Sequence, residues 1–172
     1  MKLTVTPNIE KRLPLNILRA IIEVNELFIK LKNNVELVPP IKFDPRYTKP
    51  IDLTAQDIVK EALNKNITMS VQLYTQNWFA YKLNPVNAYV LSTEPDIIFI
   101  NTRMFSWNKP IHEWKETCLH EAIHLMDKHS RNTFDHGDND LTGKGNTAPV
   151  RLAQLLATMK ITDEHEQQLQ WA

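Results

Sequence analysis

The chain has 172 residues, with 20 Lys and Arg against 20 Asp and Glu, so its formal net charge is zero. This length suits one domain over residues 1–172, with a core large enough to need no disulfides. The neutral balance argues against a protein that binds nucleic acid or an anionic membrane, because both need concentrated basic charge. A hydrophobic fraction of 42% is typical of a folded globular chain.

Glycine and cysteine are both scarce. Only 3 glycines occur, which excludes Gly-rich phosphate-binding loops over most of the chain. The single cysteine, Cys118, excludes an internal disulfide framework and a zinc cluster built on cysteines. Any zinc site in this chain must therefore use histidine and carboxylate ligands.

The first twenty residues are interrupted by charges and by two prolines, and they lack the apolar core and cleavage site of a signal peptide. No window approaches the roughly 18 uninterrupted apolar residues of a membrane-spanning helix. We therefore expect a cytoplasmic protein without a membrane segment. An effector exported by a route that needs no signal peptide would share these features.

Hydrophobic periodicity predicts the elements of the first half of the chain. Helical spacing predicts a helix over 15–31 that Pro14 begins, and a capping box of Thr54 and Asp57 predicts a second helix over 55–64. Four prolines make the segment 38–50 irregular or edge-like. Alternating or β-branched stretches predict strands over residues 67–73, 78–82, 88–91 and 96–102.

The second half is predicted to be mainly helical. A long helix is expected over 110–129, followed by a polar loop over 130–146. Two further helices are expected to begin behind Thr147 and behind Asp163. Helices at both ends of a small antiparallel sheet make an α+β fold.

Residues 120–124 of the long helix read His-Glu-Ala-Ile-His. Histidines at positions i and i+4 lie on one helix face, so both imidazoles can reach one metal ion. Glu121 lies about 100 degrees around the helix from His120, where it can address a metal-bound water instead of the metal. Two neutral ligands, an open coordination position and a nearby base are what metal-assisted hydrolysis requires.

The residues around the motif strengthen this interpretation. Uncharged residues flank it on both sides, so this part of the helix should be buried, and a buried pair of histidines with a glutamate is costly unless something satisfies them. The alternative is a pair of core histidines that are satisfied by hydrogen bonds alone.

The motif resembles that of the zincin metallopeptidases, whose defining feature is HExxH within an uncharged helix. The order of the predicted elements over about 15–160 is similar to that of minimal zincins, which have a small antiparallel sheet with an edge strand above the cleft. The resemblance implies a zinc-dependent peptide hydrolase with HExxH on a central buried helix. His120 and His124 would then hold Zn²⁺ and Glu121 would be catalytic.

The third ligand is open among several residues of the loop and beyond. His136 with Gly137 resembles the His-Gly of SprT-like zincins, and its imidazole is a good zinc ligand, so His136 is our prediction. Thr133 and Asp135 resemble the Thr-x-Asp of aspzincins, but the Tyr-Gly of that family is missing. Ser130 stands where a metzincin has its third histidine. The remaining alternatives are Asp127 and Glu164.

Other polar residues could support the site. Asp127 lies one turn after His124 and could either fix the tautomer of a ligand or pair on the surface with Lys128 or Arg131. Residues 138–149 imitate the start of a calcium-binding EF-hand loop but have Pro149 where its final glutamate belongs. The residues of suitable type to stabilise an oxyanion are Tyr89, Arg103, Lys144 and Arg151.

The sequence therefore predicts a zinc-dependent metallopeptidase acting on a protein or peptide substrate. The segment around His136 also resembles stretches of small phage and bacterial HExxH proteins, which names no substrate. The alternative function is a non-catalytic, metal-stabilised binding or effector module that keeps the site for folding. The pattern indicates neither the oligomeric state nor the cleavage specificity.

Overall fold

The computed structural model describes residues 1–91, 93–129, 133–134 and 146–161. Within these ranges the chain forms six strands and six α-helices, together with two 3-10 helices and one stretch of π-helix. The strands are β1 Lys2–Thr4, β2 Thr48–Lys49, β3 Thr68–Tyr74, β4 Ala88–Leu91, β5 Glu94–Asn101 and β6 Thr133–Phe134. The α-helices are α1 Pro7–Glu10, α2 Leu15–Leu31, α3 Ala55–Asn64, α4 Trp78–Leu83, α5 Ile111–His129 and α6 Ala153–Thr158. The 3-10 helices are Val35–Leu37 and Thr102–Trp107, and the π-helix is Ala148–Leu152.

The main sheet has four strands in the order β1-β3-β5-β4. The prediction of an antiparallel sheet is wrong, because β1, β3 and β5 are parallel and only the edge strand β4 is antiparallel to its neighbour. Helices α2 and α3 connect β1 to β3, and such long connections return the chain to the end from which a parallel strand can begin. The α+β class is confirmed, with a mixed sheet in place of an antiparallel one.

The two outer edges of this sheet differ. Beside β1, the Asn25 side chain of α2 accepts a hydrogen bond from the Leu3 amide at 2.7 Å and donates one to the Leu3 carbonyl at 2.9 Å. The outer hydrogen-bonding groups of this strand at Leu3 are thereby satisfied by a side chain. On the opposite side, β4 is the last strand of the sheet among the described residues.

The hydrophobic core lies where helices α2 and α5 pack together. Helix α2 also contacts β1, and α5 contacts β4, β5 and α6. Periodicity predicts this arrangement in α2, whose observed bounds are those expected from sequence. The residues that α2 and the centre of α5 bury are Ile17, Ala20, Ile21, Val24, Leu27, Phe28, Leu31, Leu119, Ala122, Ile123, Leu125 and Met126.

Helix α4 replaces a predicted strand. The aromatic run at 78–82 indicated a strand with a buried face, but the Asn77 side chain accepts a hydrogen bond from the Phe79 amide and begins a short helix there. Trp78 is 47% exposed and Phe79 is 71% exposed, so these rings are not strand core. Local capping has outweighed the β propensity of the aromatic residues.

The remaining predictions near the chain's end are partly confirmed. The helix expected behind Thr147 begins as the π-helix, continues as α6 and ends at Thr158. The helix expected behind Asp163 lies outside the described residues. Among the described helices, none combines the length and the apolar composition needed to cross a bilayer.

Candidate metal and catalytic site

Helix α5 carries the His-Glu-Ala-Ile-His segment. Around this segment, the helix is buried everywhere except at the two histidines. Between Cys118 and Met126 every residue is buried except His120 and His124, which are half-buried. The half-buried Thr117 and Asp127 lie on the same helix face as the histidines. Thr117 is three residues before His120, and Asp127 is three residues after His124. The apolar residues of α5 therefore fix the helix in the core, and the two histidines are presented at the surface of that core.

The two imidazoles meet at their Nε2 atoms. The distance between Nε2 of His120 and Nε2 of His124 is 3.2 Å, and the ring centroids are 4.8 Å apart. Two nitrogens bound at about 2.0–2.1 Å to one tetrahedral zinc ion are separated by about 3.3 Å. The pair therefore has the spacing of two ligands of one ion, although a hydrogen bond between the rings has the same length.

Glu121 lies inside the protein beside this pair. Its side chain is 9% exposed, and burial raises the pKa of its carboxyl group to about 7. Its charge in turn contributes to the raised pKa values of Cys118 and Tyr74, both about 12, for which burial is the larger cause. Within the described part of the chain no hydrogen bond or ion pair holds the Glu121 side chain.

A cleft of about 390 Å³ opens in front of these residues. Its far wall is the start of the edge strand β4, and its near wall is the first half of α5. Lys109 joins the walls, since its Nζ donates to Asn87 Oδ1 at 2.9 Å and lies 3.8 Å from a Glu113 carboxylate oxygen. The cleft is lined by Asn87, Ala88, Lys109, Glu113, Glu116, Thr117, His120 and Glu121.

Sequence reasoning missed three residues of this neighbourhood: Tyr74, Asn87 and Lys109. Tyr74 ends β3 and meets Tyr89 edge-on, with 4.6 Å between their ring centroids. These residues come from separate elements, so their approach to the motif depends on the strand order and has no signature in local spacing. For Tyr74 and Asn87, a polar residue directly beside the end of a predicted strand was the only available signal; Lys109 had none.

The proposed oxyanion partners are not brought into the cleft wall. Neither Tyr89, Arg103 nor Arg151 is among the residues that line it. Tyr89 stacks on Phe99, the Arg103 Nε donates to the Gln76 carbonyl, and Arg151 donates to Asn146 Oδ1. Lys144, the fourth candidate, lies outside the described residues. Of the basic residues described, Lys109 is the one that reaches the cleft.

The third metal ligand stays a prediction. Among the described residues no group of three or more His, Cys, Asp or Glu side chains is arranged to hold a metal ion, and the alternative Asp127 stays untested. The predicted ligand His136 and the alternatives Asp135 and Glu164 lie outside the described ranges. Residues 138–145 of the EF-hand-like segment also lie outside them.

Comparison of the chain with protein-family models, with curated proteins and with solved structures finds no match. The function must therefore be inferred from the chemistry of the cleft and of the two histidines.

Proposed function

We propose that the protein is a zinc-dependent hydrolase of zincin type, acting as a metallopeptidase. The observation that carries the proposal is the 3.2 Å approach of the His120 and His124 Nε2 atoms, beside a cleft that His120 and Glu121 line. A shared metal ion would account for two half-buried imidazoles beside a buried carboxyl group, a set of polar groups that is costly in an apolar core unless something satisfies it. The third ligand is His136, on the sequence argument given above.

In this proposal the histidines of α5 bind the metal and Glu121 transfers the proton. A bound zinc ion would supply Lewis acidity and lower the pKa of its water. His120 and His124 offer neutral nitrogens from a rigid helix, so their separation is fixed before metal arrives. Glu121 stands on the same helix beside them, where its carboxylate can take a proton from the attacking water and return it to the leaving amine.

The cleft favours an extended peptide as substrate. Strand β4 is at the sheet edge, is antiparallel to β5, and begins at Ala88 in the cleft wall. A peptide can add to such an edge through main-chain hydrogen bonds. Lys109 and Asn87 lie beside it and offer donors to a substrate carbonyl. On the sequence evidence, the proposed setting is one domain that acts in the cytoplasm on protein substrates.

The test is Glu121→Gln, which keeps the shape of the side chain and removes its ability to accept a proton. We expect the variant to bind one zinc ion per chain, as the wild type does, and to hydrolyse an unfolded protein substrate at least about 100-fold more slowly. Zinc is measured by atomic emission and hydrolysis by release of fluorescent peptides.

The matched control is Glu36→Gln, at an exposed carboxylate far along the sequence from the motif. Its activity should equal that of the wild type. The proposal is wrong if Glu121→Gln cleaves at the wild-type rate, or if the wild type contains no metal after purification in zinc-supplemented buffer.

A further inference from the structure

An exposed aromatic surface lies beside the cleft, formed by α4 and by the 3-10 helix Thr102–Trp107. Its large side chains are open to solvent, with Phe79 71%, Leu83 87% and Trp107 51% exposed. Tyr81 of α4 links the two elements, because its ring lies 6.3 Å from that of Trp107. We call this surface the aromatic platform; its members are Trp78, Phe79, Tyr81, Leu83 and Trp107.

The rings of the platform are held in place before any partner binds. The Trp107 indole donates a hydrogen bond to the Tyr81 hydroxyl, and the Trp78 and Phe79 rings meet edge-on at 4.9 Å. Basic side chains lie over the rings. Lys82 Nζ is 4.2 Å from the Trp78 centroid, and Lys109 Nζ is 5.8 Å from that of Trp107. A preorganised aromatic surface loses little side-chain entropy when a partner binds.

The two elements that form the platform carry basic side chains and no acidic ones. Residues 74–91 and 97–112 contain no Asp or Glu, and they contain three basic side chains, Lys82, Arg103 and Lys109. Only Lys109 has an acidic partner among the described residues, Glu113 at 3.8 Å. In a chain of zero net charge this is a local basic surface, and its complement is a segment that combines acidic and apolar side chains.

The platform is continuous with the cleft. Lys109 lies over the Trp107 ring and also lines the cleft, where it bonds Asn87 at the start of β4. A chain that leaves the cleft past Lys109 therefore meets Trp107 first. This continuity favours a part of the substrate over a bilayer or a nucleic acid, since the neutral whole molecule lacks the field that attracts either polyanion.

We propose that the aromatic platform docks an extended acidic segment of the protein substrate, with apolar residues between the acids, outside the cleft. The proposal depends on the proposed peptidase function for the identity of the occupant. The apolar side chains of that segment contact Trp78, Phe79 and Trp107, and its carboxylates face Lys82 and Arg103. The docking surface thereby selects substrates by a region away from the scissile bond.

Binding is measured with zinc-loaded Glu121→Gln, so that no turnover interferes, by fluorescence anisotropy of a labelled peptide that repeats Glu, Leu and Trp. A matched peptide has Lys in place of Glu. We expect the acidic peptide to bind at least about tenfold more tightly, with an affinity that falls as salt rises. Adding Trp78→Ala with Phe79→Ala, or Lys82→Glu alone, should weaken it about tenfold or more.

The matched controls are Ile29→Ala, which removes an apolar side chain that is 71% exposed elsewhere, and Lys60→Glu, which reverses an exposed charge on α3. Neither should change binding. Equal binding of the two peptides, or a loss equal to that of the controls, overturns the proposal. So does binding only to vesicles containing phosphatidylglycerol or only to a single-stranded oligonucleotide. Acidic-peptide binding in a protein whose wild type cleaves nothing would support docking and contradict the peptidase function.

Discussion

The relative positions of Glu121 and the two histidines are determined by their spacing along one helix. Once residues 120–124 are helical, the histidines must share a face and Glu121 must lie about 100 degrees around the helix from His120, so the sequence alone predicts this part of the site. Cys118, one turn before Ala122 on the buried side, has a pKa of about 12 because it is enclosed by the core. Its thiol is therefore protonated at neutral pH and would not compete with the histidines for the proposed metal ion.

The buried carboxyl group of Glu121 should make the stability of the metal-free protein depend on pH. Its pKa is about 7 in the folded state against 4.5 ordinarily, so the unfolded chain releases this proton at lower pH than the folded one. The contribution of Glu121 to the free energy of unfolding therefore falls as pH rises from about 4.5 to about 7, by roughly 3 kcal/mol at most. Below that window both states hold the proton and the cost disappears.

Glu121→Gln removes this titration, so in the presence of a chelator the variant should be more stable than the wild type at about pH 8 and nearly equal to it at about pH 4.5. Urea unfolding at both pH values measures the difference. A stability difference that is the same at the two pH values would contradict the assignment of a buried, unpaired carboxylate.

Secondary-structure elements could be predicted where all local sequence signals agree. They could not be predicted where these signals conflict or where strand pairing depends on tertiary structure. Helix α2 has its predicted bounds because period, Pro14 and length all indicate one helix. Helix α4 was predicted as a strand because its aromatic residues favour β structure, whereas the Asn77 cap favours helix. The parallel pairing of β3 with β5 was missed as well, because alternation reveals a strand but not the direction of its neighbour.

The capping box of α3 gives an element-scale prediction. The Thr54 hydroxyl accepts from the Asp57 amide at 3.2 Å, and the Thr54 amide donates to an Asp57 carboxylate oxygen at 3.0 Å. Thr54→Ala should lower the free energy of unfolding by about 1 kcal/mol, since the first turn loses a partner for its amide. Lys60→Ala, at an exposed site in the same helix, is the control. A loss in Thr54→Ala no larger than in Lys60→Ala, by urea unfolding, would show that the cap contributes nothing.

At the scale of the whole molecule, the cleft depends on contacts that no local pattern encodes. Asn87 and Lys109 are 22 positions apart, yet they hydrogen bond across the cleft because β4 lies at the sheet edge beside α5. The histidine pair could be predicted because one helix supplies it. The cleft wall, the approach of Tyr74 and the platform could not, because elements that are distant in sequence must first pack together.

Removal of the proposed zinc ion tests how the site and the fold depend on each other. Helix α5 is held in the core by buried apolar residues, so a chelator should abolish the proposed hydrolysis while far-UV circular dichroism stays nearly unchanged. The free energy of unfolding should fall only by the amount that the binding of the ion contributed to it. Collapse of the helical signal on chelation would instead indicate a structural metal and favour the non-catalytic, metal-stabilised module.

The side chain of Asn25 has a consequence for self-association. It satisfies the outer groups of β1 at Leu3, so among the described residues β4 is the side of the sheet that is left for another chain to join. Two copies that added strand to strand would then have to meet through β4, each covering the other's cleft. At high protein concentration, self-association through β4 should therefore reduce the proposed activity before the protein aggregates. A bound substrate should keep the protein monomeric.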